Sequence, residues 1–224
     1  MIIRLAWLST CFCVLMLFAT AVSGQSNPPS QSDTQIWNDV QFSVALSKAF
    51  DFTLLGTLRL GRNVSRPVDE RIGAAFSYKA GKYLTFTPSY LHIGMQPFKG
   101  RKVWENRLSF ATTVRFPVGH FTLSDRNLFE RRWRHPGGDS TRYRNKLQIE
   151  HAVGSPKMKL SLYVADEVFY DWSFDAWVRN RFTVGVSKVL NKHMTLDLYY
   201  LRQNDGHSVP GDIHVIGTNW RFKF

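Results

Sequence analysis

The chain has 224 residues and only two cysteines, Cys11 and Cys13, which lie within an apolar N-terminal stretch. The rest of the chain has no thiol, which excludes a disulfide framework, a thiolate metal site and a cysteine nucleophile there. A Gly-rich phosphate loop and a cluster of residues with metal-ligand spacing are also lacking. We therefore expect neither a metal site nor a cofactor.

One long apolar run is present, from Leu5 to Ala21, and it follows the basic residue Arg4. Small residues come directly after it, so the layout predicts a cleaved secretory signal peptide over residues 1–24. A membrane-spanning helix is the alternative, but the run is short and the polar stretch behind it has no basic anchor. We assign residues 25–35 to a short polar segment and residues 36–224 to the exported domain.

Acidic residues are scarce relative to basic ones, with 17 Asp and Glu against 29 Lys and Arg and a formal net charge of +12. Such a balance favours nucleic acid, an anionic surface or an anionic solute as the partner. A basic helix, a metal knuckle and an RNA-binding signature are all missing, and export argues against nucleic acid. Small anionic solutes remain as candidate partners.

The exported domain also lacks a helical apolar stripe, because its segments alternate apolar and polar residues with period two. In the first segment, Val40 and Phe42 share one face while Gln41 and Ser43 share the other. Alternation of this kind is typical of β-strands that are apolar on one side only. It occurs in residues 34–47, 52–61, 70–78, 83–92, 103–116, 120–133, 142–153, 159–170, 177–189, 194–202 and 212–224.

Most of these eleven segments are long enough to cross a bilayer, since a tilted strand needs about 9 to 11 residues. Short connections alternate with longer polar ones such as 62–69, 135–141 and 203–211, and the short side is predicted to face the periplasm. The sequence therefore predicts an all-β fold, a single transmembrane antiparallel up-and-down β-barrel of about 10–12 strands. Bacterial barrels usually have an even number of strands. Eleven segments thus imply one wrong assignment or an irregular first strand.

The last strand carries the most specific local signal. Counting back from Phe224, the alternate residues Phe222 and Trp220 are aromatic, while Lys223 and Arg221 lie on the other face. A terminal Phe with aromatic residues at every second position resembles the signal by which outer-membrane barrels are recognised by their assembly machinery. We predict that Trp220, Phe222 and Phe224 form this assembly signal and that the protein resides in the outer membrane of a Gram-negative bacterium.

Aromatic residues also cluster where predicted strands meet connections, in two groups that fit the two interfaces of a bilayer with outer-membrane lipid. The alternative is a soluble secreted β-protein, whose apolar faces would pack against each other. The group beside the short connections comprises Tyr78, Tyr83, Phe116, Phe121, Phe222 and Phe224, and the group beside the long ones comprises Trp104, Trp133, Tyr143, Trp172 and Trp177.

A degenerate repeat of Asn, basic, large apolar, polar and apolar residues occurs in 106–110, 145–149 and 180–184. Each copy lies near the start of a strand that follows a long connection. The repeat unit is thus one hairpin, and the basic residue occupies an equivalent height in each copy.

If the apolar faces point to lipid, the opposite faces form a strongly charged lumen. The first interpretation of this charged lumen is structural, because Arg and Glu side chains can neutralise one another and fill a narrow barrel. The residues predicted to form the lumen charge network or an anion-binding site are Arg59, Arg71, Glu105, Arg107, Glu130, Arg132, Arg142, Arg144, Lys146, Glu150, Glu167, Arg179 and Arg181, with Asp197 on the same face.

The excess of guanidinium groups supports a second interpretation, a barrel that passes or binds small anions, because Arg offers carboxylates and phosphates a bidentate fork. Large inward residues argue against an open channel: Leu91, Tyr163, Phe169 and Tyr199.

A lipid-modifying, acyl-hydrolase-like enzyme of the outer membrane is a third interpretation, with Ser and His on the barrel wall. The sequence offers no nucleophile motif for it, so no catalytic residue is predicted. The candidate histidines are His92, His120, His151, His193, His207 and His214.

Several short motifs together resemble the domain-of-unknown-function family 2490. The resemblance covers about residues 35–224 and implies a small outer-membrane barrel of bacteria, with no established activity to carry over. The motifs are Leu128-Phe129-Glu130-Arg131-Arg132, Arg142-Tyr143-Arg144, Asp166-Glu167-Val168-Phe169-Tyr170, Asn180-Arg181-Phe182-Thr183-Val184-Gly185 and Leu198-Tyr199-Tyr200.

Overall fold

The computed structural model describes residues 32–98, 100–155 and 157–224, and these form one closed barrel of eleven strands. The predicted signal peptide and residues 25–31 lie outside the described residues. The strands are β1 Asp33–Ala45, β2 Phe50–Gly61, β3 Arg66–Ala80, β4 Leu84–Phe98, β5 Arg101–Val118, β6 Phe121–His135, β7 Ser140–Val153, β8 Leu160–Asp171, β9 Ala176–Val189, β10 Met194–Asp205 and β11 Ile213–Lys223.

All eleven predicted strands are present, and the all-β barrel is confirmed. The expectation of an even number is wrong. Each strand pairs antiparallel with its neighbour in the chain, and β1 closes the barrel by pairing in parallel with β11. The parallel register runs without a break from Asp33 opposite Ile213 to Ser43 opposite Lys223, so β1 is regular. An odd barrel needs one parallel pair, because antiparallel neighbours reverse direction at every step.

The strands extend further than their apolar pattern suggests, and the long connections predicted at 62–69, 135–141 and 203–211 are shorter. We call the end of the barrel with connections 62–65, 99–100, 136–139, 172–175 and 206–212 the loop end, and the opposite end the turn end. Ladder pairing continues toward the loop end because inward charges there pair with one another, as Arg179 does with Asp205. β1 begins at Asp33, one residue before the predicted segment 34–47, and Asp33 accepts hydrogen bonds from the backbone amides of Arg62 and Asn63.

The barrel buries polar side chains and exposes apolar ones. On β2, the outward Leu54 is 51 % exposed, whereas the inward Asp51 and Thr53 are each 9 % exposed. Closure satisfies the backbone hydrogen bonds within the wall, and an apolar exterior of this extent requires an apolar surrounding. Among the described residues, no helix is long and apolar enough to cross a membrane.

The predicted aromatic groups lie on the outer wall near the two ends of the barrel. Trp104, Trp133 and Trp177 are exposed toward the loop end, and Tyr78 and Phe121 toward the turn end. Exposed indole and phenol rings at two levels match the two interfaces of a bilayer. In the C-terminal strand, Phe222 stacks on Phe42 and Phe224 stacks on His193.

Two glycines on the inner wall make room for tyrosine rings. A Cβ added to Gly217 would lie 2.1 Å from Cζ of Tyr199, and one added to Gly185 would lie 2.4 Å from Cζ of Tyr163. Each ring therefore occupies the space that a side chain at the glycine would fill.

We expect Gly217→Ala to destabilise the barrel by about 1–3 kcal/mol, because the added methyl group forces the Tyr199 ring to move. Gly56→Ala is the control, since an added Cβ there meets no atom within 4 Å. Denaturant unfolding of the refolded protein in lipid vesicles measures both variants. Equal unfolding midpoints for the two variants would contradict the close packing of the Tyr199 ring against Gly217.

Candidate functional site

The structure places all thirteen predicted lumen residues, and also Asp197, on the inner wall. They line two cavities that lie one above the other along the barrel axis. The lower cavity, toward the turn end, has a volume of about 610 Å³, and the upper cavity, toward the loop end, about 410 Å³. Three guanidinium-bearing residues, Arg71, Arg107 and Arg144, line both.

Where the two cavities meet, every strand contributes an inward side chain that is almost completely buried, and most of these side chains also line the upper cavity. Such burial on all sides means that side chains pack against one another and narrow the lumen at this level. We call this set the packed layer. It consists of Trp37, Arg59, Asp69, Ile93, Glu105, Arg107, Glu130, Arg142, Phe169, Arg181, Gln203 and Val215.

Glu130 is the main hub of charge in the packed layer. Its Oε1 accepts hydrogen bonds from Arg107 at 3.3 Å and from Arg144 at 2.9 Å, and its Oε2 lies 2.6 Å from Nη2 of Arg142. The residue is 2 % exposed. Three guanidinium groups from the two neighbouring strands, β5 and β7, thus contact one buried carboxylate.

Other carboxylates extend the same network around the barrel. Glu105 pairs with Arg107 at 2.5 Å and with Arg132 at 3.4 Å, and Asp171 contacts Arg132 at 3.2 Å. Arg132 on β6 therefore reaches past β7 to a carboxylate at the end of β8. Such charge-assisted contacts tie nonadjacent strands together inside the lumen.

Two buried aromatic rings lie among the guanidinium groups. Arg59 lies 3.6 Å from the ring centroid of Trp37, and Arg181 lies 4.9 Å from the centroids of both Trp37 and Phe169. The guanidinium group of Arg144 lies 4.5 Å from the ring centroid of Phe169. The cation–π stack runs from β2 through β1, β9 and β8 to β7 and so crosses the lumen.

Below the packed layer, β3, β4 and β5 carry small inward side chains, which is why a cavity remains there. Ser89 pairs with Ser109 across the strands, and Ser77 hydrogen-bonds Thr87 through the hydroxyl groups at 3.1 Å. The facing wall on β6, β7 and β8 carries long charged side chains. The members of the small-residue wall are Gly73, Ala75, Ser77, Thr87, Ser89, Ser109, Ala111 and Thr113.

Lys146 lies on the charged wall of the lower cavity, between Arg126 and Glu167 in the register of the sheet. The nearest carboxylate is already engaged, since Oε1 of Glu167 is 2.6 Å from Arg126 and 2.7 Å from Arg144. Among the described residues, no carboxylate oxygen lies within 4.0 Å of the Lys146 ammonium group. Among the described residues, the Lys146 ammonium group of the lower cavity therefore has no salt bridge.

The lower cavity reaches toward the turn end, where its side chains meet solvent. Arg115 pairs there with the predicted lumen residue Glu150 at 2.8 Å, and Arg221 pairs with Asp197 at 2.7 Å. The two arginine side chains are 55 % and 43 % exposed. A small solute would reach Lys146 most directly from this end.

Some residues of the network are absent from the predicted set. Arg126 has the same inward parity as Glu130, so alternation along β6 identifies it. Asp69, Asp171 and Asp205 also supply carboxylates to buried arginines. These three residues lie just outside the predicted strands 70–78, 159–170 and 194–202, and the alternation does not show that the strands continue as far as they do.

The hydrogen-bond partners of the histidines on the outer wall bear on the hydrolase interpretation. Nδ1 of His92 lies 2.8 Å from Oδ1 of Asn106, and Nδ1 of His214 lies 2.7 Å from the hydroxyl oxygen of Tyr200. Among the described residues, no histidine hydrogen-bonds a serine, and no group of three or more His, Cys, Asp or Glu residues could hold a metal ion. The described part of the outer wall therefore orients His92 and His214 without placing a serine beside either of them.

A family model matches residues 34–212, and its description is Protein of unknown function (DUF2490). Among curated proteins no sequence relative is found.

Solved structures share the barrel fold at low sequence identity. LpxR from Salmonella typhimurium is 10 % identical with a TM-score of 0.53, and the match covers 82 % of this chain and 87 % of that one. The NanC porin is 9 % identical with a TM-score of 0.48, over 86 % of this chain and 99 % of that one. An anion-selective porin from Comamonas acidovorans is 13 % identical with a TM-score of 0.41, over 81 % of this chain. This chain spans about half of that porin, 54 % of its length.

Proposed function

The chain belongs to the DUF2490 family, and from its own geometry we propose that it is an outer-membrane β-barrel that holds small anions in its lower lumen cavity. The closed wall, the apolar exterior and the two aromatic levels support the location. Phe224 at the turn end supports an orientation with that end toward the periplasm, where the assembly machinery would engage Trp220, Phe222 and Phe224.

The ammonium group of Lys146 carries the proposal for anion binding. It lies in a cavity of about 610 Å³ that reaches solvent, with Arg126 as its cross-strand neighbour and with no carboxylate oxygen within 4.0 Å. Nε of Arg126 is buried and has no hydrogen-bond partner within the described residues. A carboxylate or phosphate bound between these two side chains would satisfy both.

The packed layer supports binding rather than free passage. A solute that moves from Lys146 toward the loop end meets buried side chains from all eleven strands, and most of these line the upper cavity. We therefore expect the purified protein to give little current in a planar bilayer. The proposal includes no catalytic step, because no histidine among the described residues hydrogen-bonds a serine.

We expect Lys146→Met to weaken the binding of inorganic phosphate and acetate by at least about tenfold, since a hydrogen bond to a charged group contributes about 1.5–3 kcal/mol. Isothermal titration calorimetry of the detergent-purified barrel measures the affinities. Lys79→Met is the matched control, because it removes an inward lysine that already pairs with Asp51 at 2.7 Å.

Loss of affinity in both variants would indicate an effect of net charge rather than a site at Lys146. Absence of measurable binding to the unmodified protein would refute the proposed function altogether.

A further inference from the structure

The outer wall carries a polar patch in the middle of its apolar belt. On β6, Arg126 lines the lumen, so Asp125 and Asn127 on either side of it point outward. On β7, Arg144 and Lys146 line the lumen, so Asn145 between them also points outward. We call Asp125, Asn127, Asn145 and Asp166 the outer patch.

Asp166 belongs to this patch through the register of the sheet. It pairs with Leu147, which also pairs with Asp125 on the other side. Two carboxylates thus flank one leucine across three neighbouring strands. Asn127 and Asn145 form the adjacent row as a direct cross-strand pair.

The patch lies at mid-depth rather than at an interface of the belt. Along β6, the exposed rings of Phe129 and Phe121 lie on either side of it on the same face. Along β8, Asp166 has Val164 and Val168 as its outward neighbours. Carboxylates at this depth are unfavourable against lipid chains, and Asp and Asn side chains in a bilayer generally face protein or water.

Hydrogen bonds within the outer patch use only some of the donor and acceptor positions of its side chains. Asn145 donates to Asp125 at 2.6 Å, Asn127 donates to Asp125 at 2.9 Å, and Asn127 accepts from the Tyr143 hydroxyl group. Asp166 is exposed, and its partner is Asn180, which donates at 2.9 Å. The carboxylates therefore keep free acceptor positions toward the outside.

We propose that the outer patch is the contact between two copies of this chain in the membrane. The patch combines acceptors with carboxamide donors, so it is complementary to itself. A two-fold axis along the membrane normal brings the outer patch of one copy against the same patch of the other, so carboxylate oxygens of Asp125 and Asp166 can accept hydrogen bonds from the carboxamides of Asn127 and Asn145 across the contact. Hydrogen bonds across such a contact remove the carboxylates from lipid. The proposal rests on the membrane location and is independent of the anion site.

The absence of thiols after Cys13 makes the proposal directly testable, because a single introduced cysteine reports one contact. Leu147→Cys places a thiol at the centre of the outer patch, and Leu54→Cys places one on the opposite wall, where the exposed leucine lies on β2. Both variants keep every polar residue of the patch. The protein is expressed in its full form and oxidised in isolated outer membranes before electrophoresis.

We expect a disulfide-linked species of twice the barrel mass for Leu147→Cys and none for Leu54→Cys. Adding Asp125→Leu and Asp166→Leu to Leu147→Cys is expected to reduce that species at least fivefold while the barrel still shifts on heating as a folded protein. A linked species of any other mass would identify a different partner and overturn the proposal. So would equal linkage on both walls, or no linkage at Leu147→Cys.

Discussion

Glu130→Gln is expected to lower the free energy of unfolding by about 3–5 kcal/mol, which is the cost of removing one partner from a buried ion pair. The side chain keeps its size, so the effect comes from charge. Arg107, Arg142 and Arg144 would remain buried at the centre of the barrel without the carboxylate that all three contact. Urea unfolding in lipid vesicles measures the loss.

Glu150→Gln is the matched control for Glu130→Gln. It makes the same chemical change on the same inner wall, but among the described residues the one ion-pair partner of Glu150 is Arg115, whose side chain is 55 % exposed. Exposed pairs contribute about 0–1 kcal/mol, so the control should remain close to the unmodified protein. Equal free energies of unfolding for the two variants would show that the ion pairs of Glu130 contribute little to stability.

Phe169→Ala is expected to open a passage through the packed layer and also to lower stability by about 3–5 kcal/mol, as Phe→Ala changes in well-packed interiors do. Phe169 is fully buried and has the guanidinium groups of Arg142, Arg144, Arg179 and Arg181 within 5.5 Å of its ring centroid. Removal of the ring leaves those cations facing a void that water can enter. We expect single-channel current, selective for anions, in planar bilayers where the unmodified protein gives little.

Phe182→Ala serves as the control for Phe169→Ala, because Phe182 lies on the neighbouring strand, points outward and is 45 % exposed. It removes the same atoms without touching the lumen, so no current is expected. A folded Phe169→Ala barrel that gives no single-channel current would show that Phe169 does not block the lumen. Current through the unmodified protein would show that the packed layer is permeable as it stands.

The packed layer bears on both interpretations of the charged interior. Most of its arginines already have carboxylate or aromatic partners, so their first role is to fill and stabilise the barrel. Anion binding is left to the lower cavity, where small residues on β3 to β5 leave space and Lys146 has no counter-ion within 4.0 Å. The structural and functional interpretations therefore apply to different levels of one lumen.

Parity along each strand was sufficient to predict which charged residues face inward. Arg107, Lys146 and Arg181 follow the asparagine of each repeat copy, and all three line the lumen. The same parity places Asn106, Asn145 and Asn180 on the outer wall, where each hydrogen-bonds the preceding strand. Contacts of Arg132 with Asp171 could not be predicted, because they skip a strand and depend on the curvature of the closed wall.

The sequence by itself determined the all-β architecture, the eleven strands and the two faces of each strand, because period-two alternation follows directly from the geometry of a strand at a polar–apolar boundary. Only the tertiary structure decided three further properties. These are the closure of an odd barrel by parallel β1 and β11, the packed layer where the two cavities meet, and the outer patch assembled from three strands. Each depends on register and shear around the closed sheet, which place residues far apart in the chain at one height.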